Sequence, residues 1–422
     1  MALELITLPN GVRVALDPMA NLETAAVGVW QRVGARWEAA HENGVAHLFE
    51  HMAFKGAGGR DARSFAEAVE EIGGVMNAAT SYERTSYFAR VTREHAGAAL
   101  HLIADTLLDP HWAPDDFEKE KDVVTQERGE ARDQPDDHVF ELHQAALYPD
   151  QPMGRPILGL EETIAPLSVS ALTAFRAAHM APERVLVAAA GAYDRDAILA
   201  CAQERFGALA PRPALAYAPA RAAAGCAREA RRLEQTHLVL SWPAPPAGDE
   251  ALYAARLMCE IYGGGMSSRL FQEVREARGL VYAIDAFIDA LEDCGRLGVY
   301  AGCAARNAET VALMAGDLLA ALAREGPTAR ELARAKAIAA ASILMGAESP
   351  MGRAEARVAQ VFLRGRLIGF DEIRDKLNAV TIEDVRRAAE LAINGPACVA
   401  VIGPKSGLAA ADAFHARFAQ GM

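Results

Sequence analysis

The stretch Gly44 to Gly56, GVAHLFEHMAFKG, sets two histidines four residues apart with Glu50 directly before the second. On a helix, His47, Glu50, His51 and Phe54 share one face, because positions three and four apart are neighbours. Both imidazoles can then reach one zinc ion, which takes nitrogen and oxygen ligands in a tetrahedron and, in catalytic sites, keeps one position for water. Glu50 falls beside that position, where it can take the proton of a water attacking a carbonyl. Val45, Leu48, Phe49 and Met52 recur at i, i+3, i+4 and i+7, a stripe that faces a core. HxxEH is the inverted order of the zincin motif and a catalytic signature of its own. The plain alternative is a helix whose polar face carries two histidines by chance; the adjacent glutamate and the core stripe argue against it.

Two histidines leave a tetrahedral site short of a ligand. The helical stretch DDFEKEKDVVTQERGE supplies Glu120 and Glu127, seven apart and so on one face of a second helix. Glu118 and Glu130 lie in the same charged stretch, and spacing alone does not separate them from the other two.

Two halves of similar grammar must position these helices. Strand AAVGVW (Ala25 to Trp30) precedes the motif helix and a further helix, SFAEAVEEIGG. Strand HLVLSW (His237 to Trp242) precedes ALYAARLMCEIYGGG and RLFQEVREARG, and FAEAVEEIG aligns on FQEVREARG with Phe65 on Phe271 and Gly73 on Gly279. The shared order suggests a duplicated unit. Between the halves, Ala210 to Arg232 is rich in Ala, Pro and Arg, which predicts a linker at 213–232 between domains at 1–212 and 233–422. Strands such as TSYFARV and VLVAAAG alternating with helices predict mixed α/β domains with helices packed on a sheet.

The chain has 422 residues, suited to two or more domains. Its formal net charge of −13 argues against nucleic acid or an anionic membrane as partner. No apolar run reaches the ~20 residues of a membrane helix. The six cysteines show no CxxC pair, which predicts reduced thiols in a cytoplasmic protein. MALELITLPNGVRVALDPM begins at once with strand-like alternation, without a basic apolar leader or Arg-rich presequence.

On HLFEHMAFKG, the sequence resembles the pitrilysin-type (inverzincin) metallopeptidases, the group that includes mitochondrial processing peptidase and insulin-degrading enzyme; the trailing Phe-Lys-Gly is similar to the processing-peptidase form. The resemblance covers nearly the whole chain. It implies an α+β fold of two homologous domains, each a mixed, largely antiparallel sheet with helices packed on it. It implies His47, His51 and Glu127 as Zn2+ ligands, Glu50 as general base and Glu120 in support. GGVMNAATSYERTSYFARV also matches, which implies that Asn77, Ala78, Ala79 and Thr80 form an edge strand that pairs with the peptide substrate. In GGGMSSRLFQEVREARGLVY, Arg275 and Tyr282 match an Arg/Tyr pair that holds substrate near the scissile bond. Relatives of this length pair two chains into a chamber, so the resemblance implies a homodimeric, bacterial-type zinc endopeptidase acting on peptides or unfolded segments. Two other roles occur in the same group: a structural subunit that has given up catalysis, and an active subunit dependent on a different partner chain.

Overall fold

Six strands form the first sheet of the computed structural model, which describes residues 2–213 and 217–421. They are β1 (Glu4–Thr7), β2 (Arg13–Pro18), β3 (Thr24–Gln31), β4 (Val75–Thr80), β5 (Thr85–Thr92) and β6 (Val185–Gly191), in the order β1-β2-β6-β3-β5-β4. Only β2 and β6 pair in parallel; the other neighbours are antiparallel. The second sheet holds β7 (Cys226–Ala230), β8 (Thr236–Pro243), β9 (Val281–Ala290), β10 (Gly295–Cys303) and β11 (Cys398–Gly403), in the order β7-β11-β8-β10-β9. Again a single parallel pair, β7 with β11, stands beside three antiparallel ones. Leaving out β1, the two sheets have the same order and pairing. This is the expected α+β class, and the duplicated unit is visible in its topology. Gly73 and Gly279, aligned on sequence, both take positive φ (60° and 59°) just before β4 and β9, the conformation that lets a chain leave a helix without a Cβ clash.

The alternation of β6 shows what holds the first sheet. Val185, Val187 and Ala189 point into the larger core, which also takes Val45, Leu48, Phe49 and Met52 of α1 (Val45–Met52). The same core is filled by α3 (Ala96–Leu108), which follows α2 (Ala62–Glu71). Leu186, Ala188 and Ala190 point the other way, against Ala354, Val358 and Val361 of the helix Pro350–Arg364. Small side chains on that face let the helix sit close to the sheet, and close packing of apolar surface is the main driving force here.

The contiguous division at 1–212 and 233–422 is therefore corrected by the structure. The compact units are Met1–Arg128 with Arg155–Tyr217 and Ile343–Ile368, and Gly129–Gly154 with Ala218–Ser342 and Gly369–Met422. Each sheet has an apolar back face that must be covered, and in each case the cover comes from the other half of the sequence. Pro350–Arg364 covers the first; α5 (Pro135–Leu147), which follows α4 (Pro114–Asp133), covers the second through Val139 against Val239, Ala400 and Ile402. The expected linker 213–232 is corrected too. Its residues 214–216 lie outside the described residues, but Cys226–Ala230 is strand β7, half-exposed at a sheet edge. Edge position explains why CAREA shows no clean apolar period.

Candidate metal centre and active site

α1 delivers its side chains as the spacing predicts. The core stripe is buried, while Glu50 and His51 are half-buried on the opposite face and His47 is 7% exposed. The histidine ring centroids are 4.6 Å apart. α4 brings its carboxylates to that face. Glu127 Oε2 lies 3.3 Å from His51 Nε2 and 3.8 Å from His47 Nε2. Among the described residues, His47, His51 and Glu127 form the one group of metal-ligating types whose donor atoms all lie within 4.8 Å of one another. Glu118 and Glu130, indistinguishable by spacing, are exposed, and Glu118 pairs with Lys121 at 3.1 Å.

The donor set fits a zinc ion. Ligands at about 2.0–2.2 Å in a tetrahedron stand roughly 3.3–3.5 Å from each other, close to the separations of the two Nε2 atoms from Glu127. Burial, with His51 beside it, pulls the His47 imidazole down to about 4, so it is neutral, as a ligand must be. His47 Nδ1 is buried without a hydrogen-bond partner. His51 Nδ1 faces Glu120 Oε2 at 3.1 Å, and Glu120 Oε1 takes Lys55 Nζ at 2.7 Å. A carboxylate on the far nitrogen of a ligating histidine is the usual support for such a ligand.

Glu50 is raised above the ordinary carboxylate range by burial, with the neighbouring Thr80 and His51 acting the other way. Its Oε2 is buried, as are the hydroxyls of Tyr87 and of Thr80, which lies against this carboxylate. Buried polar atoms of this kind call for an explanation, a catalytic role among them. Thr80 ends β4, the free edge of the first sheet, and Val75, Asn77 and Ala79 are exposed along it. Ala78 is 7% exposed, and its N–H donates to the Asn77 side chain at 2.9 Å instead of to a strand.

Arg275 and Tyr282 belong to the other compact unit. Tyr282, at the start of β9, is 64% exposed. Arg275 is exposed at the end of a π-helical turn, Phe271–Glu276, its guanidinium 4.7 Å from the Phe271 ring centroid. Sequence reading missed Lys55, Glu38 and Asn43. Lys55 was findable, four residues after His51 and just past the end of α1; Glu38 and Asn43 precede the helix and carry no periodic signal.

The first half matches the family model for insulinase (peptidase family M16) over residues 13–161, and residues 166–339 match that of the peptidase M16 inactive domain. The chain is 35% identical to an uncharacterised zinc protease of Mycobacterium tuberculosis, over 94% of this chain and 92% of that protein. It belongs to the M16 family. YmxG of Bacillus subtilis, named an uncharacterised zinc protease, is 34% identical over 95% of this chain and 98% of its own. Among solved structures, a Helicobacter pylori protease matches with a TM-score of 0.86 at 22% identity, covering 96% of this chain and 99% of its own. A chain of complex III2 from Candida albicans matches with a TM-score of 0.84 at 19% identity, covering 98% and 100%. At such identities these structures establish the shared fold and nothing more.

Proposed function

We propose that this M16 protein is a zinc-dependent endopeptidase that hydrolyses peptides or unfolded segments. The observation that carries this reading is the convergence of His47, His51 and Glu127 with Glu50 alongside. Zinc, held by those three residues, would supply a Lewis acid for the scissile carbonyl and make water a better nucleophile. Glu50 takes a proton from the attacking water and passes it to the leaving amine nitrogen, for which a carboxyl raised by burial is suited. The exposed edge β4 receives the substrate backbone as an added strand. Arg275 and Tyr282 donate to peptide carbonyls and to the developing oxyanion, from the second subunit of a homodimer that encloses the substrate. Work in the cytoplasm suits six cysteines that form no disulfide among the described residues. Among the described residues, no helix is long and apolar enough to cross a membrane.

The test is cleavage of an internally quenched peptide by the purified chain, beside Glu50→Gln and a chelated sample. Cleavage by the wild type alone, restored by zinc after chelation, is expected, with zinc still bound to Glu50→Gln. A Glu50→Gln variant of near-normal activity would sink the mechanism. Bound zinc without turnover in the wild type would favour a structural subunit or one that needs a different partner chain.

A further inference from the structure

The helix that carries His47, Glu50 and His51 does not cap itself. Its N-cap is Gly44, at φ 98°, with no side chain to accept from the first turn. Gly44 is held to glycine by space as well as by φ, since a Cβ there would meet Gly159 Cα at 2.9 Å. The orphan N–H groups are instead taken by Glu38. Its Oε1 accepts from Ala46 N at 2.8 Å, and its Oε2 accepts from Gly44 N at 2.9 Å and from Asn43 Nδ2 at 2.9 Å. Glu38 is 4% exposed and Asn43 fully buried. A buried carboxylate without a formal ion partner at its oxygens is costly. Burial accordingly pushes Glu38 up to about 7, against the pull of those three donors and of Arg155.

The same cluster reaches the other ligand-bearing helix. Asn43 Nδ2 also donates to Pro156 O at 3.0 Å, and Thr163 Oγ1 donates to Asn43 O at 2.7 Å. Arg155 Nη2 donates to Glu38 O at 2.6 Å. Arg128, the residue after Glu127, donates to Gly159 O. Gly159 has φ 76° and lies against Gly44, where a Cβ would sit 2.8 Å from Gly44 Cα. The start of α1 and the ligand end of α4 are thus both indexed on the segment from Arg155 to Thr163.

We infer that Glu38 is a positioning residue of the metal centre: its carboxylate sets the start of α1 and so the placing of His47, Glu50 and His51 against Glu127. The inference rests on the metal-centre reading of the same site. The lever is short but sensitive. At 1.5 Å rise per residue, a tilt of about 5° at the first turn moves His51 by roughly 0.8 Å. Metal–ligand distances tolerate about 0.2 Å.

The experiment compares zinc release to a chelator, kcat and KM on a quenched peptide at saturating zinc, and thermal midpoint. The variants are Glu38→Gln, Glu38→Asp and, as an ordinary cap on an exposed helix, Asp61→Ala. Asp61 accepts from Ser64 N at 2.8 Å at the start of α2, outside the cluster. The Gln amide keeps a single acceptor oxygen, so it cannot accept both from Ala46 N on one side and from Gly44 N and Asn43 Nδ2 on the other. Glu38→Gln should release zinc roughly 10- to 100-fold faster and lose kcat to a similar extent, with KM within about threefold. Glu38→Asp should fall between, and Asp61→Ala should lower the midpoint alone. Wild-type zinc release and kcat in Glu38→Gln, whatever its midpoint, would overturn the inference; if that variant does not fold, the same result in Glu38→Asp does so. A wild type that takes up no zinc would instead bring down the metal-centre reading, and this inference with it.

Discussion

Glu120 holds His51 from behind: its Oε2 lies 3.1 Å from His51 Nδ1, while the His51 Nε2 faces Glu127 at 3.3 Å. A carboxylate there makes Nδ1 the protonated nitrogen and leaves the Nε2 lone pair for a metal. Lys55, 2.7 Å from the other oxygen, keeps Glu120 turned toward the ring. Glu120→Gln offers an amide that can donate to Nδ1 and so favours the wrong tautomer. Zinc affinity should fall roughly 10- to 100-fold, measured by competition with a fluorescent chelator. Unchanged affinity would remove Glu120 from the support of the site.

If substrate adds to β4 as a strand, its own amides should matter at every second position. Ala78 N–H now donates to the Asn77 side chain, so an incoming carbonyl can replace that acceptor. Ladder hydrogen bonds alternate between the two sides of an antiparallel strand. Peptides N-methylated at one bond at a time should lose about 2- to 10-fold in kcat/KM at alternate bonds, equivalent to roughly 0.5–1.5 kcal/mol each. A flat profile along the peptide would mean that β4 does not pair with it.

Much of this was legible because it is periodic. The i, i+3, i+4 pattern of α1 gave both its buried stripe and its histidine face, and VLVAAAG gave β6 to the residue. The glutamate spacing put Glu120 and Glu127 on one face, but only packing separates them from Glu118 and Glu130, whose side chains point to solvent. The hidden features are those that depend on distant chain meeting in space. Nothing local in PMGRAEARVAQVFLR says that Ala354, Val358 and Val361 cover β6, more than 150 residues away. Glu38 hid for the same reason: a cap supplied from outside the helix leaves no spacing to read.

The docking of that remote helix can be tested at Asp17. Its side chain is 5% exposed and accepts from Arg353 Nη1 at 3.0 Å and Arg357 Nε at 2.8 Å. Asp17→Asn keeps the shape and leaves two partly buried guanidiniums without a counter-charge. Breaking such a pair from one side costs more than the pair contributes. Here the loss should be about 2–4 kcal/mol, reduced from the fully buried case because Arg353 stays partly in water. Urea unfolding of wild type and variant gives the difference. A loss under about 0.5 kcal/mol would show that apolar contact alone seats the helix.

The second unit carries its own acid sensitivity at His143, which is fully buried. Its Nε2 lies 2.8 Å from Ser241 Oγ and its Nδ1 accepts from Arg296 Nη1 at 3.1 Å. Burial and then the Arg296 charge hold the imidazole well below its ordinary range, so it stays neutral in the fold. In the unfolded chain it binds a proton below about 6.5. The unfolded state therefore holds more protons as pH falls, and the contribution of this residue to stability, complete above about 6.5, is lost on acidification. The slope is about 1.4 kcal/mol per pH unit for one proton. His143→Gln can still accept from Arg296 and donate to Ser241, and it cannot titrate. Urea unfolding between pH 7.5 and 5 should show wild-type stability falling more steeply than that of the variant by up to this slope; parallel curves would mean that His143 takes up its proton without unfolding.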